Sequence, residues 1–250
     1  ISTWGDEEQK VLYLYTREEI SDLKSRYRGM AFLNYGLSPN RDEFNSLGYR
    51  GDEIEMPKPA GTYRIVALGG STTFGEYLDS WEQAYPYQLQ AVLRTDYGYE
   101  QVEVVNAGVP GYTTWESAVN LLLRVQDLDP DMIIIYHGVN DINPRLSDPN
   151  FYDGLNLGKG IWVDHNEPLP ISALYRFVMV KLGQNIKVNY SLGEQFSRPE
   201  GYRSCGLDVS GDVPYCRFLD MTAEDVLKTN PPIYFERNIQ NMIYMAQGMG

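Results

Sequence analysis

Residues 65–75 read IVALGGSTTFG, and the fold turns on how they are read. An apolar run ends in two glycines, and three hydroxyl residues follow before the chain turns away. The whole run YRIVAL, from Tyr63, is short and rich in β-branched residues, as expected of a strand buried on both faces. Gly69 and Gly70 let the backbone turn tightly without a Cβ clash, which leaves Ser71 at the lip of that strand. Outward from it the pattern is regular. A helix is predicted from about Tyr85 to Tyr97, with Pro86 in its first turn and Gly98 as its stop. VEVVNAG is the second strand, and Thr113 with Glu116 forms a capping box that opens a helix through about Gln126. MIIIYHG is the third strand. Strand and helix alternating at this spacing predict βαβ units, a parallel sheet and right-handed crossovers.

The flanks are less regular. Residues 1–60 read as an N-terminal arm, with Thr16 and Glu19 capping a charged helix that runs to about Arg28. NSLGYRGDEIEMPKPAGTYR is rich in Gly and Pro and is expected to wrap the surface as irregular structure. The main domain is 61–250, with a core at 61–143 and 226–250. Between them, about 144–225 reads as an insertion over one end of the sheet, holding one helix, SALYRFVMVKLGQ. PIYFERNIQNMIYMAQGMG closes the sequence as an amphipathic helix, after which a fourth strand is expected; the sheet as given reads as incomplete at the C-terminus.

Composition bounds the function. The chain has 250 residues and a net charge of −13, from 34 acids and 21 bases. That balance argues against a nucleic-acid partner, since a phosphate backbone is bound by clustered Lys and Arg. No stretch approaches the ~18 uninterrupted apolar residues that cross a bilayer. The sequence begins at Ile1, which fits a cleaved signal peptide or a membrane anchor upstream. Cys205 and Cys216 enclose a turn-rich segment, SCGLDVSGDVPYC, read as a small disulfide-closed loop, with two free thiols as the alternative. A bridge implies an oxidising compartment. Asn189-Tyr190-Ser191 matches a glycosylation sequon by a triplet common by chance.

Each strand ends in a polar motif: GGSTTFG after the first, NAGVPGYTT after the second, HGVND after the third. Ligands of open parallel sheets bind outside the carboxyl ends of the strands. A 2-1-3 order puts the first strand in the centre, with Ser71 between Gly108 and Asn140. An oxyanion hole needs two or three donors aimed at one point. The N–H groups of Ser71 and Gly108 and the Asn140 amide, neutral at every working pH, supply three. A phosphate-binding loop is excluded because GGSTTFG lacks the G-x-x-x-x-G-K-[ST] pattern, and a dinucleotide site because it lacks G-x-G-x-x-G. No cofactor is expected. Asp141 has no clustered partners for a metal, and is expected to make hydrogen bonds that orient its loop.

The three blocks LGGSTTFG, VNAGVPGYTT and GVND, in order and each after a predicted strand, resemble the SGNH (GDSL-type) hydrolases. The resemblance covers about residues 61–143 firmly. It implies a three-layer α/β/α sandwich with a parallel sheet of flavodoxin-like type. It also implies esterase or acyl-hydrolase activity, Ser71 as nucleophile, and Gly108 and Asn140 as oxyanion donors. Gly70 stands where the commoner wording has Asp. The family's base is a histidine in an Asp-x-x-His block, and no such block occurs in this sequence. His137 and His165, the latter following Asp164, are the two histidines, and the base is expected beyond Gly250 rather than at either. The substrate class that follows is a small acyl ester or an acylated glycan or lipid, handled outside the cytoplasm. The alternative is an inactive binding or structural subunit of a larger surface assembly, with the arm or the 144–225 insertion as its protein-binding surface.

Overall fold

The computed structural model of the chain describes residues 26–30, 32–41, 43–154, 215–216 and 221–249. The predicted parallel sheet is at its centre. Strands β3 (Tyr63–Gly69), β4 (Val102–Gly108) and β5 (Met132–Tyr136) form a three-stranded parallel sheet, with β3 between the other two. The 2-1-3 order is therefore the observed one. Register runs from Tyr63 opposite Val102 to Gly69 opposite Gly108, and on the other side Gly69 lies opposite Tyr136. All three strands thus end level with the motifs that follow them. Here, as the earlier elements, β1 (Tyr27–Met30) and β2 (Leu33–Leu37) form an antiparallel hairpin.

Successive side chains of a strand point to opposite faces, and both faces of this sheet are covered. Val66, Leu68, Val105 and Ala107 face a cluster completed by Leu121, Val125, Leu128 and Met242. These come from the segment after α3 (Thr114–Asn120) and from α6 (Ile233–Gly248). Ile65, Val102 and Val104 face the other way, onto Leu89 and Leu93 of α2 (Tyr85–Thr95). This is an α/β/α arrangement. Each fully buried aliphatic side chain contributes about 1.5–3 kcal/mol, so the two clusters account for most of the sheet's anchorage.

The predicted element boundaries are met closely on the sheet and less so elsewhere. Thr113 accepts from Trp115 N–H and closes a capping box with Glu116, as expected. The helix it opens changes to a wider turn at Leu121–Val125 and a tighter one at Gln126–Leu128, rather than running unbroken to Gln126. A four-residue helix, α1 (Ser71–Phe74), follows β3 directly and was not expected. Further on are α4 (Ile142–Arg145), the short pair β6 (Tyr215–Cys216) and β7 (Met221–Thr222), and α5 (Ala223–Thr229).

The arm is where sequence and structure differ. Tyr27 and Arg28, placed at the end of a charged helix, lie in β1. The Gly- and Pro-rich stretch after Asn45 is irregular and, from Gly51 to Tyr63, runs largely exposed over the surface as expected, but it also reaches inward: Tyr49 and Ile54 belong to the sheet's core, and Asn45 and Arg50 are buried. Leu33, Tyr35, Leu37 and Phe44 make a separate cluster with Phe74, Val109 and Tyr112, directly under the carboxyl end of the sheet. The rest of the predicted arm helix, SALYRFVMVKLGQ, His165, the Asn189 sequon and Cys205 lie outside the described residues, and with Cys205 so does the predicted bridge to Cys216.

Candidate active site

Ser71 is the first residue of α1, with Gly70 as the preceding cap. The helix is too short to satisfy itself. Phe74 N–H bonds Gly70 O at 3.0 Å, and Gly75 and Glu76 both donate to Ser71 O, at 2.9 and 3.0 Å. Gly75 closes it in the left-handed region at φ 85, where a side chain is strained. The result is a sharp strand-to-helix turn that holds Ser71 half-buried at its outer corner.

Asn140 comes from the short turn Val139–Asp141 after β5. Its Nδ2 donates one hydrogen to Tyr112 O at 2.9 Å, which leaves the second N–H of the amide to point elsewhere. A Cβ built on Gly70 would lie 2.6 Å from that nitrogen and 3.4 Å from Tyr112 O. The peptide leading into Ser71, the Asn140 amide and the Tyr112 carbonyl therefore meet at one spot. A side chain at position 70 would therefore have to displace the Asn140 amide from its place in this structure.

Gly108 sits elsewhere. It ends β4 opposite Gly69, and its N–H donates to Asn106 Oδ1 at 3.0 Å. A Cβ there would come within 2.4 Å of Phe74 N. This glycine thus exists so that α1 can lie against β4, and its amide is already engaged, so the expected oxyanion role is not open to it. The next glycine in the motif was missed. Val109 O accepts from Tyr112 N–H at 3.1 Å, closing a turn with Pro110 and Gly111 at its centre. Gly111 has φ 81, the value that the third position of a type II turn requires. This turn carries the carbonyl that holds Asn140. The signal was in the sequence: Pro-Gly inside NAGVPGYTT is a type II turn signature.

Asp141 orients the loop, as expected. Its Oδ1 accepts from Thr114 N–H at 2.9 Å and from Thr114 Oγ1 at 2.5 Å, so the Asn140 turn is tied to the first residue of α3. Asn238 of α6 donates to the same Thr114 hydroxyl at 3.2 Å. His137 makes a structural hydrogen bond: Nε2 lies 2.7 Å from Ser117 Oγ, and Nδ1 faces Asp141 Oδ2 at 3.9 Å. Its side chain is 1 % exposed, and burial pulls its pKa down to about 4. A base poised near neutrality is needed to activate a serine, and His137 is neither free nor so poised. Among the described residues, no three His, Cys, Asp or Glu side chains are grouped to hold a metal. No helix among them is long and apolar enough to cross a membrane.

Comparison with known proteins agrees with the motifs. Residues 67–184 match the sequence model of the GDSL-like lipase/acylhydrolase family. The matched span, just under half of the chain, contains all three blocks LGGSTTFG, VNAGVPGYTT and GVND. Among solved structures it is similar to AlinE4, an SGNH-hydrolase family esterase, at 31% identity over 34% of this chain and 44% of that one, with a TM-score of 0.30. It is also similar to LAE5, an alpha/beta hydrolase enzyme from the metagenome of Lake Arreo, Spain, at 28% identity over 35% of this chain and 44% of that one, with a TM-score of 0.28. The match spans less than half the length of either structure. No curated protein matches the chain.

Proposed function

We propose that this protein is a serine ester hydrolase with Ser71 as its nucleophile. The observation that carries this reading is the meeting of the Ser71 turn, the Asn140 amide and the Val109–Tyr112 turn at the carboxyl end of the sheet. Ser71 Oγ attacks the ester carbonyl carbon while its proton passes to a histidine other than His137, brought in from outside the described residues. The carbonyl oxygen becomes an oxyanion. Its donors are the Ser71 N–H and the free hydrogen of Asn140 Nδ2. Collapse of the tetrahedral intermediate breaks the bond to the alcohol, which leaves with the proton held by the histidine. Water then repeats the sequence on the acyl-enzyme and releases the acid.

The substrate class is an O-acyl ester, on a glycan or lipid, and the compartment is extracytoplasmic. The second point is supported by the two cysteines flanking a turn-rich segment. Hydrolysis of p-nitrophenyl acetate tests the chemistry. The wild-type protein is expected to turn it over and Ser71→Ala to lose that activity. Equal rates for the two would refute Ser71 as nucleophile.

A further inference from the structure

Two site turns hold themselves poorly. Helix α1 is one turn long, so its last carbonyls find no partner within it; Phe74 O accepts from Asn106 Nδ2 at 3.2 Å and Gly75 O from Leu78 N–H at 3.3 Å, both long bonds. The Val109–Tyr112 turn has a single internal bond. The N-terminal arm supplies the shortest bonds to the carbonyls of both. Arg50 Nη1 donates to Phe74 O at 2.7 Å and to Gly75 O at 2.8 Å, the two carbonyls that end α1. Its Nε and Nη2 both donate to Glu43 Oε2, at 2.9 and 2.6 Å, which fixes the guanidinium plane. The same group lies over the Phe74 ring, 4.3 Å from its centre, and the side chain is 2 % exposed. On the other turn, the Tyr35 hydroxyl donates to Pro110 O, and the Tyr112 hydroxyl donates back to Tyr35 O. The rings of Tyr35 and Tyr112 pack edge to face at 5.4 Å.

We propose that the arm is part of the catalytic apparatus, with Arg50 and Tyr35 as positioning residues that set the nucleophile turn and the oxyanion turn against each other. The inference rests on the esterase reading given above. Filling a core needs only apolar side chains. Here the arm's polar groups end on the backbone carbonyls of the two turns that must align. A fork is required at Arg50, since one planar group serves two carbonyls and a carboxylate, which a lysine's single ammonium does not match. Misplacing reacting groups by about 1 Å can cost ~10²-fold in rate. Arg64 is the internal control. It is also fully buried and donates to Leu128 O and Glu55 O, but it is the second residue of β3, at the far end of the strand from Ser71.

The test compares the full chain with Tyr35→Phe, Arg50→Gln and Arg64→Gln, each assayed well below its own melting temperature. kcat and KM are measured on p-nitrophenyl acetate, together with the rate of Ser71 labelling by a fluorophosphonate. Tyr35→Phe, which removes one hydroxyl and keeps the ring, is expected to lower kcat and labelling about tenfold, and Arg50→Gln about a hundredfold, both with KM nearly unchanged. Arg64→Gln is expected to lower the melting temperature and leave kcat in place. Should Arg50→Gln fail to fold, Tyr35→Phe decides alone. A folded Tyr35→Phe with wild-type kcat, or a kcat loss in Arg64→Gln equal to that of the arm variants, overturns the proposal. A wild-type protein that neither hydrolyses the ester nor takes the label overturns the esterase reading, and this inference with it.

Discussion

His137 provides the sharpest quantitative check on the site, because its burial separates a structural histidine from a catalytic one. Its ordinary pKa is 6.5, and burial beside Ser117 lowers it to about 4 in the folded protein. Between those values the unfolded chain binds the proton more readily than the folded one. Stability therefore rises with pH across the window, is fully present above 6.5, and is lost as pH falls toward 4. The full gap corresponds to about 3 kcal/mol, of which about 2 is gone at pH 5. For a chain of this size that is a fall of about 4–8 °C in melting temperature. His137→Gln keeps a hydrogen-bonding group near Ser117 and cannot titrate. Melting curves at pH 7.5 and pH 5 should show the wild type losing about that much more than the variant. Hydrolysis by His137→Gln at pH 7.5 should stay within about tenfold of wild type, since general-base loss typically costs ~10²–10⁴. Equal pH dependence in the two proteins would refute the buried neutral state. A rate loss of a thousandfold would make His137 the base after all.

Asn140→Ala should cut turnover of p-nitrophenyl acetate by ~10²–10³, the usual worth of one oxyanion donor, while circular dichroism stays unchanged. Gly70→Ala places a methyl 2.6 Å from Asn140 Nδ2, so the amide must move. A kcat loss of similar size is expected, and a wild-type rate would show that the amide's position is not needed. Asp141→Asn weakens two charge-assisted bonds from Thr114 and should cost about 1–3 kcal/mol in a denaturant melt, with a smaller rate loss than Asn140→Ala.

The sheet was legible because its signals are local and strong. β-branched runs at Ile65, Val104 and Ile133, with turn residues after each, allow few other readings. The motif order then placed Ser71 and Asn140 together through topology alone, without any knowledge of side-chain contacts. Gly108 misled because a glycine has two uses that sequence does not separate. It can bare an amide to a ligand or admit a neighbouring backbone, and here Phe74 N is that neighbour. The arm misled for a related reason. Gly and Pro in GYRGDEIEMPKP do mark irregular backbone, but irregular backbone is buried when its polar groups find partners, as Asn45 does with Asp52 O and the amides of Leu47 and Tyr49. Arg50 offered no periodicity to read. Its partners lie 24 and 25 residues away, on a helix of four residues that no pattern announced.

Covalent labelling of the native protein by a fluorophosphonate, with the modified residue located by peptide mass spectrometry, tests the nucleophile most directly. The adduct is expected on Ser71, and it should be absent in Ser71→Ala. An adduct confined to another residue, or a properly folded wild-type protein that takes none, would contradict the account.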